Sequence, residues 1–160
     1  MRTNNAKVKS LIVSVYFILI VLAILLATVF SAFKHLTPNP TLTFFIIVFG
    51  FITLFLIVHR ISKYFEYDSD GVKVVILNSG LMLADHFNYR EHKLEFEKEQ
   101  LIAFKFKNYI IYKSLTLYLK SSKGNKKKET FNITLVTHKK RRYIRQSLSK
   151  MVKSNIKINQ

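Results

Sequence analysis

Cysteine, glycine and proline are absent or scarce in this sequence, which has no cysteine, four glycines and two prolines in 160 residues. Without cysteine, the chain has no disulfide, no thiolate nucleophile and no cysteine-ligated metal. The few glycines form neither a Gly-rich loop that cradles phosphate nor the G-x-S-x-G turn that presents a nucleophilic serine. We therefore expect a protein that is not an enzyme and that holds no cofactor or metal.

Acidic residues are also few, since nine Asp and Glu stand against 26 Lys and Arg, for a formal net charge of +17. The charge is unevenly spread, because five bases and no acid precede Ile61, whereas 21 bases and all nine acids follow it. A region this basic is attracted to polyanions, and anionic lipid at a membrane surface is one of them.

Charge is missing altogether from two apolar runs, Leu11 to Phe33 and Leu42 to Val58. As helices they would measure roughly 34 Å and 25 Å, against a hydrocarbon core of about 30 Å. We predict transmembrane helices over residues 11–33 and 42–60, joined by an external loop over residues 34–41. The first run exceeds the roughly 7–15 apolar residues of a signal peptide, so we expect it to be retained.

The basic residues that flank these runs predict their orientation. Those on the outer flanks of the pair are Arg2, Lys7, Lys9, Arg60 and Lys63. The connector between the runs carries only Lys34, and positive residues favour the cytoplasmic side. We therefore expect a cytoplasmic N-terminal segment over residues 1–10 and a cytoplasmic basic domain over residues 61–160.

Small residues recur every four positions in the first run, at Ala23, Ala27 and Ser31. This spacing places them on one helix face, where another backbone can approach closely. We predict a helix-packing face, with Gly50 of the second run as a candidate partner, and the contact is either within the hairpin or with a second chain. Neither run contains Lys, Arg, Asp or Glu, which argues against proton relay or ion transport.

After Ile61 the apolar pattern changes to a period of two, which is typical of β-strands. A first strand is predicted around Tyr64 to Tyr67, and turn signals at Asp68–Gly71 and Asn78–Gly80 bound a second. Further strands are predicted over residues 81–87 and around the alternating positions Ile102, Phe104 and Phe106. Lys123 to Lys128 are predicted to form a hairpin loop. Six or seven short strands without intervening helices predict an antiparallel arrangement.

A C-terminal amphipathic helix is predicted from about Lys139 to Ser154, with Thr137 as a candidate N-cap. Its apolar stripe, at i, i+4, i+7 and i+8, consists of Ile144, Leu148, Met151 and Val152. We expect this stripe to pack on the sheet and close one side of it.

The segments Tyr64 to Gly80, Glu97 to Asn108 and Ser114 to Val136, followed by this helix, resemble bacterial pleckstrin-homology-like domains with an N-terminal two-helix membrane hairpin. The resemblance implies an antiparallel sandwich or partly open barrel of about seven strands closed by one helix. It also implies a binding or scaffolding module in the inner membrane of a bacterium, without catalysis. Relatives that bind phosphoinositides have basic residues in the first hairpin, whereas Asp68–Gly71 is acidic, so no lipid headgroup site is transferred.

Two groups of residues have a partial likeness to metal sites. Asp68 and Asp70 lack the additional oxygen ligands of a calcium loop, and predicted strands rather than helices flank them, so we expect a β-turn. His86 and His92, with Asp85 nearby, have a predicted loop between them and no fourth ligand, so we expect surface histidines.

Clustered bases are the remaining candidates for a functional surface. They are Lys126, Lys127 and Lys128 in the predicted hairpin loop, and Lys139, Lys140, Arg141, Arg142 and Arg145 at the start of the helix. Cations at a helix N-terminus oppose the helix dipole, so they are not there for helix stability. We expect contact with anionic lipid or an acidic protein. The alternatives are a membrane-tethered nucleic-acid-binding protein, with non-specific binding only, and an accessory subunit of a larger membrane complex. The oligomeric state stays open.

Overall fold

The computed structural model describes residues 1–32, 39–80, 92–120 and 125–158. In chain order these residues form β1 (Arg2–Asn4), α1 (Val8–Ala32), α2 (Pro40–Ile61), β2 (Lys63–Asp68), β3 (Lys73–Gly80), β4 (His92–Glu97), a 3-10 turn (Lys98–Gln100), β5 (Leu101–Asn108), β6 (Lys113–Lys120), β7 (Lys126–Asn132) and α3 (His138–Ile158). They group into an apolar unit, Lys7–Arg60, and a β unit, Met1–Ala6 with Ile61–Gln160. The strand predicted over residues 81–87 lies outside the described residues.

The apolar unit consists of α1 and α2, which are long and apolar enough to cross a bilayer. The two helices contact each other through Tyr16, whose ring packs edge-on against Phe55 at 5.1 Å between centroids. Large apolar side chains such as Phe17 and Phe49 are exposed on the outside of this unit. An exposed apolar exterior is unfavourable in water and is compatible with a lipid environment.

Four antiparallel strands in the order β1-β2-β3-β4 form the first sheet. The predicted turn at Asp68–Gly71 is confirmed, because the Asp70 amide donates to Asp68 Oδ1 at 2.9 Å between β2 and β3. The turn predicted at Asn78–Gly80 is wrong, because these residues belong to β3 and pair with β2. Phe65 and Tyr67 of β2 point into the core and are fully buried. From Tyr64 to Asp68, half-buried and fully buried side chains alternate along β2, as in a strand with one face against the core.

The N-terminal segment is part of the β unit, which the sequence did not predict. β1 pairs with β2, so that Arg2 lies opposite Asp68 and Asn4 opposite Glu66. The side chain of Asn5, which is 2% exposed, continues this pairing. It donates to the Lys63 carbonyl and accepts from the Phe65 amide of β2. The residues on either side of the two apolar helices are therefore hydrogen-bonded to each other.

Glu66 holds the edge strand in place through charged hydrogen bonds. Its carboxylate accepts from Tyr64 Oη and from Arg2 Nε, each at 2.7 Å. The hydrogen bond from Tyr64, followed by that from Arg2, lowers the pKa of Glu66. Burial, together with Glu66, raises the pKa of Tyr64 to about 12. The carboxylate therefore stays ionised and the phenol stays protonated at neutral pH.

The second sheet has the antiparallel order β5-β6-β7 and corrects two predictions. A bulge between Leu101 and Ala103 turns Ile102 outward, and Ile102 is 38% exposed. The extra residue of a bulge breaks the alternation from which an inward Ile102 was predicted. Lys126 to Lys128 lie in β7, paired with β6, and not in a hairpin loop.

The C-terminal helix α3 covers the sheets as predicted, with Ile144 and Leu148 fully buried. Its first hydrogen bond runs from the Arg141 amide to the Thr137 carbonyl, and near its end Asn155 donates to the carbonyls of Lys98 and Leu101. The described part of the chain contains two open antiparallel sheets and no closed barrel. The core consists of Phe65, Tyr67, Val74, Ile76, Leu94, Phe96, Leu101, Leu115, Leu117, Leu119, Phe131, Ile133, Val136, Ile144 and Leu148.

Candidate functional site

The β unit has one end at which the chain passes to and from the apolar helices. The chain leaves after Ala6 and returns at Ile61, with only Ser62 between α2 and β2. We call this part of the unit the tether end and define it by Asn5, Lys63, Asn78, His92 and Asn132. Asn78 connects these residues, because its side chain donates to the carbonyls of Tyr64 and Asn132 and it pairs with His92 across the sheet.

Most of the described acids lie toward the opposite end of the first sheet. This group, the acidic end, consists of Asp68, Asp70, Glu95, Glu97 and Glu99. The strand register places it there, since Asp68 pairs with Val75 and Lys73 pairs with Glu97. Ion pairs occur in both groups of acids: Asp70 pairs with the amino terminus and Glu95 with Lys73 at the acidic end, and the other two described acids, Glu66 and Glu129, are also ion-paired. Among the acids that the structure describes, most therefore lie away from the tether end.

The predicted basic cluster of α3 lies at the start of that helix and contacts residues near the tether end. Lys140 Nζ donates to the carbonyl of Asn4, one residue before Asn5. Arg141 Nη1 donates to Asn108 Oδ1 at 3.3 Å. The Arg145 guanidinium lies 4.9 Å from the centre of the Phe106 ring, in a cation–π arrangement. The remaining members, Lys139 and Arg142, are exposed.

The second predicted cluster, Lys126 to Lys128, lies on β7 and not beside α3. Lys127 Nζ contacts Glu129 at 3.0 Å, and Glu129 also contacts His92 Nε2 at 2.9 Å. Burial raises the pKa of Glu129, but the hydrogen bonds from Lys127 and His92 outweigh it, so that the pKa is lowered overall. Through His92 this cluster is connected to the tether end. β7 itself reaches the tether end at Asn132, and Lys126 to Lys128 form its other end, so the two basic clusters lie on separate elements and only that of α3 starts near the tether end.

Residues weighed as metal ligands have other contacts. The His92 ring stacks on Phe131 at 4.6 Å and is bonded to Glu129. His86 and Asp85 lie outside the described residues. Within residues 1–32, 39–80, 92–120 and 125–158, no group of three or more His, Asp or Glu side chains is placed to hold a metal ion.

A groove of about 430 Å³ lies between the start of the β2–β3 turn and the second half of α3. At its edge the hydroxyl of Ser147 is hydrogen-bonded to those of Tyr67, at 2.9 Å, and Ser69, at 3.3 Å. Burial raises the pKa of Tyr67, which therefore stays protonated and is a poor base. A hydroxyl nucleophile needs an adjacent base. We interpret this hydroxyl cluster as a link that fastens α3 to β2.

The predicted helix-packing face lies partly between the two apolar helices. Ala23 and Ala27 line a groove of about 180 Å³ together with α2 residues that include Phe44 and Val48. A side chain added at Gly50 would meet no atom within 4 Å. The side chain of Ser31 lies outside the described residues. Gly50 therefore makes no close approach within the described hairpin, and contact with a second chain stays a prediction.

One exposed apolar feature was missed in the sequence. Tyr109 to Tyr112 form the tip of the β5–β6 hairpin, whereas the sequence pattern predicts one continuous run through them. The available signal was Asn108 at the end of an alternating stretch, followed by two isoleucines where a turn needs polar residues or glycine.

In comparisons with models of protein families, with curated proteins and with solved structures, nothing matches this chain.

Proposed function

We propose that this chain is a membrane-anchored, non-catalytic binding module whose basic β unit rests on the anionic surface of the bilayer that α1 and α2 cross. The observation that carries the proposal is the position of the α3 basic cluster near the tether end, with most of the described acids toward the other end. Attraction to an anionic leaflet amounts to about 1 kcal/mol per basic residue near the surface.

Short connections make such weak attraction effective. Three residues separate β1 from α1, and one residue separates α2 from β2. Because an extended residue spans at most about 3.5 Å, helices that cross the bilayer would keep the tether end within roughly 15 Å of the interface. The attraction then acts within a tethered molecule and requires no bimolecular encounter. A few basic residues at the surface therefore suffice to hold the unit down.

Because β1 precedes the two apolar helices and β2 follows them, the pairing of β1 with β2 supports a location of both flanks on the same side of the membrane. Together with the flanking residues Arg2, Lys7, Lys9, Arg60 and Lys63, it favours the cytoplasmic side of a bacterial inner membrane. The order of four strands, three strands and a C-terminal helix supports the pleckstrin-homology-like interpretation. In that interpretation the membrane hairpin is an insertion between the first two strands.

Amine footprinting of the unmodified chain tests this function. The full chain is placed in nanodiscs of phosphatidylcholine with or without phosphatidylglycerol, treated with an amine-reactive reagent, and analysed by mass spectrometry. We expect anionic lipid to protect Lys139, which is exposed at the start of α3, and to leave Lys150 and Lys153 of the same helix unchanged. Equal protection of all three lysines, or none at Lys139, would contradict the proposal. Protection only on adding nucleic acid would support the alternative polyanion.

A further inference from the structure

The β5–β6 hairpin ends in an apolar tip, which we define as Tyr109 to Tyr112. The Tyr109 amide donates to the Tyr112 carbonyl at 2.8 Å, leaving Ile110 and Ile111 as a two-residue turn. Ile110 is completely exposed, at 102%, and Ile111 and Tyr109 are each 56% exposed. The tip therefore presents a compact apolar surface at the outermost point of a hairpin.

Turn formation does not explain these side chains. Two-residue hairpin turns favour Asn-Gly, Asp-Gly or glycine pairs, because the central residues adopt conformations that β-branched side chains resist. The longer β2–β3 turn of the same unit contains Asp70 and Gly71, residues that are typical of turns. Burial within the unit does not explain the tip either, given its exposure. Exposed apolar patches mark contact sites, so contact with an apolar surface outside the β unit accounts for the apolar residues of the tip.

Basic residues surround the tip. Lys107 precedes it and Lys113 follows it, and Asn108 accepts the hydrogen bond from Arg141 of the α3 cluster. No acid occurs between residues 100 and 128 of the sequence. An apolar tip with basic residues beside it is complementary to a bilayer surface, where anionic headgroups lie above the hydrocarbon.

The tip also lies near the tether end. Lys113, the residue after the tip, accepts at its carbonyl from the Ile133 amide and donates from its own amide to Thr134 Oγ1. The neighbouring Asn132 exchanges hydrogen bonds with Asn78, one of the residues that define the tether end. These contacts connect the base of the tip to the part of the unit from which the chain continues into α1 and α2.

We infer that the tip inserts into the lipid interface as a second, reversible anchor of the β unit. Ile110 and Ile111 enter the boundary of the acyl chains, and Tyr109 and Tyr112 lie at the level of the headgroups, where tyrosine is favoured. Lys107, Lys113 and Arg141 then face the phosphates. This inference rests on the proposed function, because the basic cluster must first bring the unit to the surface.

Single-cysteine labelling tests the inference directly, since the chain contains no cysteine. The full chain with Ile110→Cys, carrying an environment-sensitive dye, is reconstituted into vesicles of phosphatidylcholine and phosphatidylglycerol. We expect blue-shifted emission that is quenched by nitroxides placed just below the headgroups. Val72→Cys is the matched control, because Val72 is an 84% exposed aliphatic residue in the β2–β3 turn beside acidic residues. Its dye should stay in water and escape quenching.

The amine footprint of Lys139, measured on the same vesicles, separates the two proposals. If Lys139 is protected while the Ile110→Cys dye stays in water, the tip does not insert and the proposed function stands. If neither signal changes, both proposals are wrong. If the dye is buried only when another protein is added, the tip is a protein-docking surface and the lipid inference is overturned.

Discussion

Neutralising Lys139 and Arg142 together is expected to lower the ratio of surface-bound to free β unit roughly 30-fold, which corresponds to about 2 kcal/mol. Both side chains are exposed, so the substitutions Lys139→Gln and Arg142→Gln remove charge without emptying the core. They also remove cations that oppose the helix dipole at the start of α3. A weaker association would therefore be an electrostatic effect and not a consequence of a less stable helix.

The measurement uses Tyr143→Trp as the only tryptophan of the chain, because Tyr143 is partly exposed beside the two bases. Its emission is followed in nanodiscs of increasing phosphatidylglycerol content. The control variant, Lys150→Gln with Lys153→Gln, changes the net charge by the same amount on the second half of α3. Equal losses in the two variants would mean that net charge alone, and not the tether end, controls the association. The difference should shrink at high salt.

Replacement of Leu148 by alanine is expected to destabilise the β unit by about 2–5 kcal/mol. Leu148 is fully buried between α3 and the sheets, and the removed side chain leaves a cavity that the surrounding strands cannot readily fill. The loss can be read from urea unfolding of the full chain in detergent micelles by near-ultraviolet circular dichroism. Tyrosine reports on this unit, because seven of the eight tyrosines follow Ile61.

The matched control is Ile156→Ala on the same helix. Ile156 is 54% exposed, so its truncation should change the free energy of unfolding by no more than about 0.5 kcal/mol. A Leu148→Ala variant as stable as Ile156→Ala would show that α3 does not pack on the sheets as described.

Local patterns in the sequence predicted the parts of the fold that depend on local chemistry. The two apolar runs became α1 and α2, the Asp68–Gly71 signal became a turn, and the stripe containing Ile144 and Leu148 became the buried face of α3. Each of these depends on a periodicity or a turn preference within about 20 residues.

Features that depend on distant partners were not predictable in this way. β1 has only three residues and pairs with a strand more than 50 positions later, beyond both apolar helices. The bulge that turns Ile102 outward arises from pairing with β6, and the assignment of Lys126 to a strand depends on the same partner. The basic cluster of α3 was recognisable from composition, but its place near the tether end depends on contacts with Asn4 and Asn108.

Spin labels at the two ends of α3 test the central claim, that the tether end of the β unit faces the anionic membrane surface. Thr137→Cys and Ser154→Cys lie about 25 Å apart along the helix, and the cysteine-free background allows each to be labelled alone in the full chain. In nanodiscs that contain phosphatidylglycerol and a nickel-chelating lipid, we expect strong relaxation of the label at position 137 and little at position 154. Equal relaxation at both positions, or stronger relaxation at position 154, would contradict the account.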